Sequence, residues 1–197
     1  MRIHETVQNF PATLRFAAAF FATALLVCPR PGEGGTDVCE QKVPASLKSA
    51  LNAKFPGFRP AYSTDQTIDV EVNKPGGDRC MAVASGDFDG DGKKDIAILL
   101  TNPQAGAVRL VVALRRNTSW AISQLPTWCT TVNTCYVQTV KAGSFKRSES
   151  LDSPPTLPDE RDQIESKTDN VMSGTLEATG IVYVYSKGKW RYVWISD

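Results

Sequence analysis

The chain has 197 residues, 42% of them hydrophobic and 22% charged, which suits one ordinary globular domain behind a processed terminus. A formal net charge of +1 supplies neither the basic field that draws nucleic acid nor an acidic block for a polycation. The only histidine is His4, so the rest of the chain has no imidazole for a Ser-His-Asp triad, a Cys-His pair or a histidine-bound zinc.

Residues 1–28 read as an export leader. Arg2 and Arg15 precede the apolar run Phe16–Cys28, which is short for a membrane span and suits a secretory h-region. Two processing schemes fit. Ala22-Thr23-Ala24 offers an A-x-A cleavage site, and Leu25-Leu26-Val27-Cys28 is similar to a bacterial lipobox with Val27 in place of the usual small residue. A lipid on Cys28 is the one membrane attachment expected. The implied location is secreted or periplasmic.

Residues 29–42 read as a Pro/Gly-rich linker, and residues 43–197 as a single α+β domain, mainly antiparallel β-sheet with one amino-terminal amphipathic helix. Leu47, Leu51 and Phe55 recur every fourth residue and predict that helix, stopped by Pro56-Gly57. Strand-like runs follow: Thr67–Val72, Cys80–Ala84, Ile96–Leu100, Val108–Leu114 and Trp120–Leu125. Residues 148–170, rich in Pro and charge, read as a long mobile loop. The chain closes on a hairpin, Ile181–Tyr185 and Trp190–Ile195, around Ser186-Lys187-Gly188-Lys189.

With Cys28 set aside, Cys39, Cys80, Cys129 and Cys135 remain, an even number suited to an oxidising compartment. Cys129 and Cys135 frame a loop short enough to bridge, which leaves Cys39 with Cys80. Without a closely spaced C-x₂₋₄-C pair, four-cysteine zinc is remote.

The strongest chemical signal is Asp87-Phe88-Asp89-Gly90-Asp91-Gly92-Lys93-Lys94-Asp95. Carboxylates at this density repel unless a cation sits among them, and hard oxygen donors suit Ca²⁺, which takes six to eight oxygens. Gly92 permits a positive φ, so that the Lys93 carbonyl can turn inward. The competing explanation is an ordinary solvated Asp/Gly turn. An EF-hand is excluded. Its twelfth loop position demands a bidentate Glu, and here stands Ile98 between strand-like flanks.

Residues 86–100 resemble the calcium loop of FG-GAP and VCBS repeats, known from integrin alpha-chain propellers. The resemblance implies Asp87, Asp89, Asp91, the Lys93 carbonyl and Asp95 as metal ligands. Only one such loop occurs, and a propeller needs at least about four blades. A full β-propeller is therefore not expected.

Three functions follow as expectations: an exported, non-enzymatic Ca²⁺-binding domain with a structural metal loop; a cell-surface module that recognises carbohydrate or protein; and a carboxylate-based hydrolase. The second would use the carboxy-terminal hairpin, where Trp190, Tyr192 and Trp194 share one face and Tyr183 and Tyr185 another. Core packing explains those aromatics more simply. The third needs two suitably spaced acids, and Glu71 or Asp78 have nothing distinctive around them.

Overall fold

The computed structural model describes residues 36–66, 79–151, 154–155, 157–176, 178 and 180–196. The expected leader (1–28) and the expected strand Thr67–Val72 lie outside them. Within residues 36–42, read as linker, Val38–Gln41 forms a one-turn helix, α1, whose amino end is capped by Asp37 accepting from the Cys39 and Glu40 amides at 2.8 and 3.3 Å. A four-residue helix has no periodicity to betray it, which is why the linker reading missed it.

Helix α2, Ala45–Lys54, turns Leu47 and Leu51 inward, and Phe55 just beyond it is also buried. Pro56-Gly57 ends it, with Gly57 at φ +81°. Apart from a 3₁₀ turn at Ser63–Asp65 the remaining elements are strands, and all of the strand pairs are antiparallel.

The first sheet contains β1 (Arg59–Pro60), β2 (Val83–Gly86), β3 (Asp95–Asn102), β4 (Ala107–Arg116) and β5 (Ser119–Leu125). Strand β3 is its centre: β1 and β2 share one of its edges and β4 takes the other. Its residues from Asp95 to Thr101 are all buried, as a strand covered on both faces requires. Asp95 is fully buried at the very start of this run.

The second sheet runs β11-β10-β9-β6, from β6 (Cys135–Val140), β9 (Asn170–Thr175), β10 (Gly180–Ser186) and β11 (Lys189–Ser196). A two-stranded sheet joins β7 (Gly143–Lys146) to β8 (Gln163–Ser166). Strand β8 corrects the reading of 148–170 as one loop. The four residues of β8 hold a single apolar side chain, Ile164, and do not announce a strand; it is the pairing with β7 that holds them. Among the described residues the sheets form no closed barrel and no propeller blade array.

The segment before β2 joins the two larger sheets. The Met81 carbonyl accepts from Val137 of β6 at 2.8 Å, and the Ala82 carbonyl accepts from Leu99 of β3 at 2.8 Å. One core cluster therefore draws on α2, β2–β6 and the aromatic face of β10–β11. A second, aliphatic cluster on the other face of β10–β11 contains Ile164, Val182, Val184 and Val193. Cys39 pairs with Cys80 and Cys129 with Cys135, at Cα separations of 5.0 and 5.8 Å.

Candidate metal centre

Strands β2 and β3 meet at the Gly86–Asp95 pair, and the acidic nonapeptide is the loop between them. Two left-handed glycines shape it, Gly90 at φ +77° and Gly92 at φ +79°. The loop amides then point at its own carboxylates. Asp87 accepts from Gly90 at 2.9 Å on one oxygen and from Gly92 at 3.0 Å on the other. Asp89 accepts from the Asp91 amide at 3.2 Å, and Asp91 from the Lys93 amide at 2.9 Å. Asp95 closes the ring, taking the Phe88 amide at 2.9 Å and the Arg115 amide of β4 at 2.7 Å.

This folding brings one carboxylate oxygen each from Asp87, Asp89 and Asp95 within 4.8 Å of one another. Asp91 stands apart from that trio. Its second oxygen accepts from Lys93 Nζ at 2.9 Å, so Asp91 and Lys93 face each other across the loop. The Lys93 side chain is thus a surface partner of Asp91.

The electrostatics are uneven. Burial pushes Asp95 up to about 6, against the two amides that favour its charge, and the nearby Asp89 and Asp91 add to the rise. Asp91 is held below the usual carboxylate range, first by the Lys93 side chain and amide. Asp89 pairs with the guanidinium of Arg116, at the end of β4, which also lies 3.5 Å from Asp91. In sequence the Arg115-Arg116 pair looks like mere strand-end solvation. The fold instead brings the Arg116 side chain against the carboxylates of the acidic loop. The three carboxylates offer hard oxygen atoms, while the Arg116 guanidinium already neutralises part of their charge by pairing with Asp89.

The loop is also fastened to the second sheet. Asp169, just before β9, accepts the Asp87 amide at 3.2 Å and binds Lys141 Nζ at 3.0 Å. Thr168 Oγ1 donates to the Phe88 carbonyl at 3.2 Å. At Gly86 a Cβ would stand 2.9 Å from an Asp169 carboxylate oxygen, so this close approach requires glycine. Neither Asp169 nor Thr168 carries a local sequence signal for the site.

The aromatic hairpin is built differently. Tyr183 opposes Tyr192 and Tyr185 opposes Trp190, with ring centroids 5.8 and 5.1 Å apart. Tyr183 and Tyr192 are buried to 1% and 2% exposure, and Tyr183 donates its hydroxyl to the Pro126 carbonyl at 2.7 Å. Among the described residues the exposed aromatic is Trp128, outside the hairpin, 39% exposed and 4.5 Å edge-on to Trp194.

No protein-family model matches the chain, and neither a curated protein nor a solved structure gives a significant match.

Proposed function

We propose that this protein is an exported, non-enzymatic Ca²⁺-binding domain, secreted or periplasmic, whose ion serves a structural role at the β2–β3 corner. In this reading the fold is α+β, with α2 as the amphipathic helix laid against the first sheet. The supporting observation is the convergence of Asp87, Asp89 and Asp95 oxygens within 4.8 Å on a loop whose amides already orient the carboxylates. Loop carbonyls and water would complete a calcium shell of six to eight oxygens. Because Asp169 and Thr168 tie the same loop to β9, an ion here would stiffen both sheets.

Calorimetric titration with Ca²⁺ and, separately, Mg²⁺ tests the proposal. Saturable Ca²⁺ binding that is lost in Asp87→Ala is expected, with Mg²⁺ much weaker because its smaller octahedral shell releases water reluctantly. Heats of dilution alone would leave the nonapeptide an acidic turn neutralised by Arg116.

A second reading, recognition of a carbohydrate or protein surface by the aromatic region, draws on the exposure of Trp128 beside Trp194. A blue shift of tryptophan emission on adding a glycan, abolished in Trp128→Ala, would favour it.

A further inference from the structure

On the opposite face of β10–β11 from the aromatic core, two arginines converge on one small cleft. Val184 and Arg191 are direct neighbours across the hairpin and so share a face. A single parallel bridge joins Glu160 to Tyr192, and the Arg161 amide donates to the Tyr192 carbonyl at 2.9 Å. Alternation then puts Arg161 on the face opposite Glu160, which is the face of Arg191. Both arginines line a cavity of about 190 Å³ floored by Ile164 and Val184 and rimmed by Gln163 and Ser186.

The charges of this cleft are not balanced from within. Among the described residues the Arg191 side chain has no hydrogen-bond or ion-pair partner, and the Arg161 side chain uses one nitrogen on the Pro158 and Glu160 carbonyls, at 2.7 and 2.5 Å. The one carboxylate lining the cavity, Glu165, accepts from Gln163 at 3.2 Å. Glu160 pairs with Arg147. Two partly buried arginines thus line one cleft above Ile164 and Val184 with a single carboxylate, Glu165, beside them, an arrangement that an incoming anion relieves.

We propose that this cleft binds a small organic monocarboxylate, or the acidic end group of a longer ligand. The planar fork of arginine matches a carboxylate bidentately, and the Ile164–Val184 floor takes the attached hydrocarbon. The volume lies below the roughly 300–1,000 Å³ that encloses drug-sized ligands, which limits the bound part to a small group. Glu165 at the wall disfavours a doubly charged phosphate.

The full chain, labelled at isoleucine and valine methyls, is titrated by NMR with sodium butyrate, and in parallel with butyramide and inorganic phosphate. Butyrate should shift the Ile164 and Val184 methyls saturably in the millimolar range, and the neutral amide should not. Arg191→Gln should weaken butyrate at least about tenfold, as expected for loss of a charge-assisted hydrogen bond. Arg161→Gln provides the same comparison if the first variant fails to fold. Arg191→Lys, which keeps the charge and loses the fork, should fall between. Equal shifts from butyrate and butyramide would overturn the proposal, as would saturation by phosphate alone, unaltered binding in a folded arginine variant, or no methyl shift at all.

Discussion

The acidic corner and the aromatic hairpin are assembled on opposite plans. At the corner, polar groups are gathered by short-range hydrogen bonds within nine residues and then clamped from outside by Arg116 and Asp169. At the hairpin, Tyr183 and Tyr192 are ordered by strand register and held by packing in the main core. Dense like charge at the corner is a cost that packing cannot repay. The buried aromatics stabilise the fold by burial and ring contact, with the Tyr183 hydroxyl satisfied by the Pro126 carbonyl. A cation should therefore matter at one region and be indifferent to the other.

The largest expected effect lies on the hairpin side. Tyr183→Ala should destabilise by roughly 3–5 kcal/mol, the range for removing a large buried aromatic, by the same amount with calcium or with chelator. Chemical denaturation in both conditions checks it. A loss confined to calcium-loaded protein would break the contrast between the two regions.

The corner should behave in the reverse way. Calcium at a hundred times its Kd should add about 2.7 kcal/mol of stability, and Asp89→Ala should abolish most of that gain while the calcium-free protein stays folded. Differential scanning calorimetry with and without chelator measures both quantities. A Tm unaffected by millimolar Ca²⁺ would remove the metal from the account of this corner.

The same corner should respond to pH. Asp95 rises from 3.8 to about 6 through burial, so between those values the folded chain keeps a proton that the unfolded chain has released. In chelator, this group favours folding at acid pH and its contribution is lost as pH rises toward about 6. Calcium favours the ionised form, so its affinity should fall as pH drops below about 6. Asp95→Asn should flatten this dependence in thermal melts taken from acid to neutral pH.

Two smaller effects sharpen the comparison. Trp128→Ala should cost about 0.5–1.5 kcal/mol through its ring contacts, without altering calcium affinity. Arg116→Gln removes a part-buried ion pair and a cation that competes for Asp89. It should slightly tighten calcium binding, measured by the same calorimetry. Weaker binding would mean that Arg116 positions Asp89 for the ion.

What the sequence discloses follows from the range of the interactions. The hairpin was legible because its turn is local: Lys187 and Gly188 both take positive φ, at 52° and 79°, and the flanking strands alternate. The spacing of Asp87, Asp89, Asp91 and Asp95 was legible for the same reason. Arg116 and Asp169 reach the loop from 27 and 82 residues away along the chain, through strand pairings that spacing cannot reveal. Spacing also treated Asp91 as equivalent to its neighbours, whereas the fold turns it toward Lys93. Strand β8 hid in a polar, proline-rich stretch because its pairing with β7 supplies the order that Gln163-Ile164-Glu165-Ser166 lacks alone.

The Cys39–Cys80 pairing has a consequence for how the chain comes apart. It closes a covalent ring across a separation of 41 residues, and that ring includes the whole of α2 and β1. A protease that cuts the ring once leaves both fragments on one molecule, with Leu47 and Leu51 still tethered beside the sheet they cover. Such a nicked protein would migrate as intact material until reductant is added, and only then split in two.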